Sequence, residues 1–247
     1  MRHFFFTRIA VEGKLIHPSY PNVEDAVIRD YIELWLNQSS KFYEENGFKG
    51  EVKVGLWYSR FYAHVLADYE FPDYVDLTTE HPAHWIRNNC VNTGQVTITR
   101  LDADDSYSVD LWRILEERLH NESQDKLILY KKIHQYDVET DTFYEPMWHS
   151  SPMFATIYRS DLKPFDADAC IRKDAAPLLG IIGNHGKYHL ATHDTPEMAY
   201  ALMRITGWNK QNRLGLMGRT RNNLSPTSKG RHRFVGLGTR TTGAVDT

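Results

Sequence analysis

A chain of 247 residues, 41% hydrophobic and 25% charged, is long enough to bury a sizeable core as one large α/β domain. That composition excludes a disordered or fibrous chain, and no apolar stretch approaches the length needed to span a bilayer. The net charge of −3 hides an asymmetry: residues 207–247 hold eight basic side chains against Asp246 and sum to +7, which leaves −10 on the remainder.

Cys90 and Cys170 offer neither a disulfide framework nor metal-ligand spacing, so a reducing, cytoplasmic setting is expected. The opening MRHFFFTRIA holds too short an apolar run for a signal sequence. His3–Thr7 predicts a short aromatic strand with Arg8 at its end, and Pro18 and Pro21 mark a loop after it. Across Glu24–Asn46 the residues Ala26, Val27, Tyr31, Leu34, Trp35, Gln38 and Phe42 recur at helical spacing, and Gly47 and Gly50 stop the run. Glu51–Tyr58 (EVKVGLWY) reads as a second strand, completing a βαβ unit whose crossover is expected to be right-handed. Residues 60–76, aromatic and acidic with Pro72, fit no single element; a helix is expected over Ala83–Asn89, starting near Pro82.

The stretch Gln95–Asp105 (QVTITRLDADD) organises the chain. Val96–Thr99 and Leu101 form an apolar, β-branched run that predicts a buried parallel strand. It ends in Asp102, Asp104 and Asp105, three carboxylates within four residues, ahead of a helix expected over Ser108–Leu119. Open α/β sheets place ligand sites at such strand ends. Three acids there repel one another unless a cation or a set of donors neutralises them, and a hard cation such as Mg²⁺ or Mn²⁺ suits oxygen ligands. Ordinary capping of the following helix accounts for one such acid, not for three.

Lys126–Lys131 and Met153–Tyr158 read as strands, and the polarity of Asp137, Thr140 and Asp141 marks a hairpin turn between Ile133 and Tyr144. His185, His189 and His193 recur every four residues, a spacing that would align metal ligands on a helix, although Gly183 and Gly186 argue against a helix. Thr195 and Pro196 predict a short helix over Glu197–Ile205, ended by Gly207. Residues 1–212 are read as the folded domain. The basic, Gly- and Ser-containing residues 213–247 are read as an irregular extension that either remains solvated or meets a polyanion.

The segment TRLDADDSYSVDLW resembles the Asp-x-Asp segment of metal-dependent glycosyltransferases of the GT-A type, and more narrowly the T-R-L-D-x-D-D segment of a rhamnosyltransferase family. The likeness implies a GT-A-like, mixed and mainly parallel sheet flanked by helices, and transfer of a sugar from a nucleoside diphosphate donor to an acceptor hydroxyl. It further implies that Asp102 meets the ribose or a metal-bound water, and that Asp104 and Asp105 engage Mn²⁺ or Mg²⁺. Thr7, Arg8 and Arg100 then lie beside the donor, and His189, with His185 or His193, meets the metal or diphosphate. The catalytic base falls among Glu145, Asp161 and Asp166. The acceptor is expected to be a glycan or small molecule. A hydroxymethylated base in DNA is a further candidate, held by Arg219, Arg221, Arg231 and Arg233 with Trp148 or Trp208 filling the gap in the duplex. Metal-dependent phosphoryl transfer or nuclease chemistry, and a sugar-nucleotide or nucleic-acid binding domain without turnover, are the alternatives.

Overall fold

Phe4, Phe5 and Phe6 sit in the first strand, β1 (Arg2–Ala10), which runs past the expected end at Thr7 and is buried on both faces. Period-two alternation sends these rings to opposite sides. Phe5 meets Phe42, Tyr43 and Trp112, whereas Phe4 meets Trp85. The computed structural model describes residues 1–10, 24–46, 48, 50–80, 82–89, 94–123, 126–148, 155–159, 193–194, 196–205 and 225–237.

The long helix expected over Glu24–Asn46 forms as α1 (Asp25–Leu34), a π turn at Trp35–Ser39 and α2 (Lys41–Glu45). Strand β2 (Glu51–Tyr58) follows as expected. The unplaced region resolves into a 3₁₀ turn at Arg60–Tyr62, the short α3 (Ala63–Leu66) and strand β3 (Val75–Thr78). Helix α4 (Pro82–Asn89) precedes the acidic strand β4 (Val96–Arg100), and β5 (Ser106–Tyr107) leads to α5 (Leu111–Leu119). Then come β6 (Lys126–Leu129), the hairpin β7 (Lys132–Asp137) and β8 (Thr142–Trp148), β9 (Ala155–Arg159), β10 (His193–Asp194) and β11 (Ala201–Ile205). Asp141, at the hairpin turn, takes the left-handed conformation with φ 51°.

The central sheet has seven strands in the order β10-β6-β9-β4-β1-β2-β3, and a second sheet has four in the order β5-β11-β7-β8. β1 pairs in parallel with both β2 and β4, and β2 with β3. β9 is antiparallel to β4 and β6, so the acidic strand has a parallel neighbour on one side only. The fold is thus mixed α/β with a mainly parallel central sheet flanked by helices.

Two expectations are corrected. The predicted helix over Glu197–Ile205 is instead the strand β11, all five of whose residues are buried, paired with β7 and β5. A run of that length carries no periodicity to separate helix from strand, and the pairing partners decide it.

The basic extension is also not wholly apart from the domain. Thr227 donates its amide to the Phe143 carbonyl (2.8 Å), and Val109 donates to the Arg233 carbonyl (2.9 Å). Phe234 is buried against Tyr136, Val138, Phe143 and Leu202. Arg231 pairs with Asp141, and Arg233 pairs with Asp110 at 3.0 Å while lying 4.8 Å from the Tyr200 ring centre. Residues 225–237 therefore belong to the folded unit, and the boundary expected at 212/213 does not mark its end. Arg233→Met removes the ion pair and the ring contact together and is expected to cost about 1–3 kcal/mol, read as a lowered midpoint in urea.

Candidate functional site at the carboxyl ends of strands β1 and β4

The parallel strands β4, β1, β2 and β3 lie in that spatial order, so the chain runs outward from β1 through β3 and then returns to β1's other side. The order reverses between β1 and β4, and crevices at such switch points are where open α/β sheets take ligands. Arg8 lies near the end of β1, and Asp102 follows β4.

Alternation places Arg8 and Arg100 on the same face as Phe4, Phe6 and Ile98. Arg100 donates to Asp102 Oδ1 from Nε (3.3 Å) and Nη2 (3.1 Å), and Arg8 Nη2 lies 3.5 Å from the same oxygen. The side chains of Arg8 and Asp102 are 24% and 27% exposed, whereas that of Arg100 is 3% exposed. Arg100 is therefore the fixed support, and Arg8 and Asp102 are the pair that solvent reaches. Burial lowers the pKa of the Arg8 guanidinium, while Asp102 opposes the shift.

Trp57 is the register partner of Arg8 on β2 and packs on Phe6 at 6.0 Å between ring centres. On the same face, a Cβ on Gly55 would lie 2.7 Å from the Trp85 ring. Only glycine lets α4 approach this closely, and Trp85 Nε1 is fixed by Asp76 Oδ2 at 3.1 Å. Helix α4 thus roofs the sheet at Phe4 and Gly55, before the level of Arg8.

Asp104 and Asp105 are buried instead. They are 3% and 4% exposed, and Asp105 donates its amide to the Asp102 carbonyl (3.0 Å) to close the turn. Asp105 Oδ1 accepts from the backbone amide of Arg204 (3.3 Å), whose own side chain is wholly buried. Arg204 Nη1 donates to the Asp104 carbonyl (3.2 Å) and to Ser39 Oγ (3.2 Å), and Ser39 Oγ donates to the Ala103 carbonyl (2.9 Å). Burial lowers the Arg204 pKa to about 10, against the opposing charges of Asp105 and Asp104.

Burial first, then the charges of Asp104 and Asp102, push Asp105 well above the usual carboxylate range, opposed by the Arg204 amide and charge. An acid with a raised folded pKa binds more protons folded than unfolded, so its contribution falls as pH rises from about 4 through the folded value. Asp105→Asn is expected to remove that slope, seen as a wild-type-minus-variant stability difference that declines with pH over this window.

The expected site residues divide clearly. Arg8, Arg100 and Asp102 come together. Thr7 is wholly buried on the opposite face of β1, toward Tyr43, and does not line the crevice. Glu145 is exposed on β8 of the second sheet, with β7 between it and β11, and its amide donates to the Ser225 carbonyl (2.9 Å). His193 lies in β10, three strands along the sheet from β4 and paired with Leu127, which pairs through Ile157 to Ile98. Its backbone is thus level with the middle of β4 and about 14 Å to the side, not at the acidic turn. His185, His189, Asp161, Asp166, Arg219, Arg221 and Trp208 lie outside the described residues. Arg204 and Ser39 escaped the sequence reading. The mid-strand charge of Arg204, within the apolar run ALMRI, was the available signal.

Among the described residues, the divalent ion implied by the resemblance finds no prepared ligand set. Among the described residues no three His, Cys, Asp or Glu side chains group as they would around a metal. Asp104 and Asp105, expected as its ligands, are turned into the protein. Mg²⁺ keeps several waters when bound, and acids this buried leave a hydrated ion little access.

The fold and this cluster define an α/β protein with an arginine–carboxylate pair at its topological switch point. No protein-family model matches the chain, and no curated protein matches it. Among solved structures it is similar to HddC from Yersinia pseudotuberculosis, with a TM-score of 0.40 and 10% identity over 89% of this chain and 99% of that one. The same protein complexed with GMP-PN aligns with a TM-score of 0.34 and 10% identity, over 81% and 88% of the two chains. A provisionally assigned glucose-1-phosphate thymidylyltransferase from Bacillus anthracis, in complex with a sucrose, gives 0.29 and 11% identity over 69% and 75%. Among the described residues no helix is long and apolar enough to cross a membrane.

Proposed function

We propose that this chain transfers a sugar from a nucleoside diphosphate donor to an acceptor hydroxyl, with the donor's diphosphate across the carboxyl ends of β1 and β4. The observation that carries this reading is the Arg8–Asp102 pair, part-exposed at the switch point and backed by Arg100. Guanidinium geometry suits phosphate oxygens, and a fixed carboxylate beside it suits a ribose hydroxyl. The T-R-L-D-A-D-D likeness supports a glycosyl group as what is transferred.

In this reading Arg8 binds the diphosphate and steadies its charge as the glycosidic bond breaks. Arg100 holds Asp102 in place. No step is assigned to Mn²⁺ or Mg²⁺, because the acids expected to hold one are turned inward. A base must lie within hydrogen-bond reach of the acceptor hydroxyl. Glu145, Asp161 and Asp166 remain the candidates for that base.

The acceptor is a glycan or small molecule. A hydroxymethylated base in DNA is a narrower choice. Arg231 and Arg233 already pair with Asp141 and Asp110, so that choice rests on Arg219 and Arg221. Incubation with a panel of UDP-, GDP- and dTDP-sugars and hydroxyl acceptors, following release of nucleoside diphosphate, tests the reading. Turnover of at least one donor that Asp102→Asn abolishes is expected. A panel in which every donor is inert and none binds would remove it.

A further inference from the structure

Three carboxylates in one tight turn need counter-charge, and this protein supplies it from two sides. Arg8 and Arg100 converge on Asp102 Oδ1 on the crevice side. From within, Arg204 reaches the same turn from β11 of the other sheet: its backbone amide meets Asp105 Oδ1, its guanidinium Nη1 meets the Asp104 carbonyl and Ser39 Oγ, and its charge acts on Asp105 and Asp104. Ser39 closes the circuit onto the Ala103 carbonyl.

We propose that the Asp102–Asp105 turn is a protein-internal charge lock: Arg204 supplies the positive charge beneath Asp104 and Asp105 that a divalent ion supplies in a metal-binding acidic turn. A guanidinium suits this place. It is more weakly hydrated than an ammonium or a small dication, so burial costs it less, and its Nη1 alone reaches both the Asp104 carbonyl and Ser39 Oγ. The lock also ties the two sheets at one point, because the π turn at Trp35–Ser39, the turn after β4 and strand β11 meet on one side chain. The inference rests on the turn alone, whatever donor the crevice takes.

The test is a titration of Mn²⁺ into the purified full chain without nucleotide, read by the paramagnetic signal of the free ion, with melting curves in EDTA and in MnCl₂. Wild type is expected to leave the ion free and to melt at the same temperature in both. Arg204→Gln, which removes the charge but keeps a polar side chain, is expected to bind Mn²⁺ at least about tenfold more tightly than wild type. Its lowered melting temperature should be partly restored by MnCl₂, as ligand linkage requires. Adding Asp104→Asn to that variant should abolish the gain. Stoichiometric Mn²⁺ uptake by wild type that is lost in Asp104→Asn would overturn the proposal. So would a folded Arg204→Gln with no gain in affinity. If Arg204→Gln does not fold even with MnCl₂, the wild-type titration and its Asp104→Asn control decide the matter alone. No nucleotide is present, so this result and that of the donor panel fail separately.

Discussion

Replacing Arg204 by Met is expected to lower folding stability by about 3–5 kcal/mol, the range for removing one member of a buried charged set. For a chain of this size that is a fall of roughly 6–20 °C in Tm. Met retains most of the volume, so the loss measures charge and hydrogen bonding more than packing. It leaves the Asp104 carbonyl and Ser39 Oγ without this donor and removes the positive charge that acts on Asp105 and Asp104. The Arg204 backbone amide still reaches Asp105, and the pairing of β11 with β7 is made by backbone and survives. A calorimetric scan in EDTA measures the effect, and a loss below about 1 kcal/mol, the scale of an exposed ion pair, would show that the turn is held by other means.

Arg8→Ala should act on binding and leave folding almost untouched. The side chain is part-exposed, and Asp102 keeps Arg100 when Arg8 is gone. A charge-assisted hydrogen bond to phosphate contributes about 1.5–3 kcal/mol, so affinity for a nucleoside diphosphate should fall roughly 10- to 100-fold. Removing the diphosphate from the ligand should cost the wild type a similar factor and the variant little. Isothermal titration with matched nucleosides and nucleoside diphosphates makes that comparison.

Much of the central sheet was legible because its strands are two-sided. FFF in β1, VTITR in β4 and KLIL in β6 are apolar or β-branched runs flanked by polar residues. The wide helical pattern of residues 24–46 was also readable, although local spacing does not announce the π turn within it. β11 was misread because Thr195 and Pro196 suggest a helix start and five residues cannot display a period. The residues 225–237 looked irregular because their order comes from Phe234 and two ion pairs to distant positions, not from any repeat.

The site was legible in part for the same reason. Position in sequence brought the three acids together but said nothing of which way each carboxylate points. The turn sends Asp102 toward Arg8 and Asp105 toward Arg204, 99 residues away in sequence. That separation is what no local pattern encodes. Alternation counted along β4 and β1 places Arg100 with Arg8 and apart from Thr7.

The proposed function requires that the carboxyl ends of β1 and β4 hold a nucleoside diphosphate against Arg8 and Asp102. Equilibrium titration of UDP, GDP and dTDP into wild type, Arg8→Ala and Asp102→Asn measures this most directly. At least one nucleotide is expected to bind wild type, and both variants to lose most of that affinity, with Arg8→Ala melting as wild type does. A nucleotide that binds all three proteins equally, or none that binds wild type at all, would contradict it.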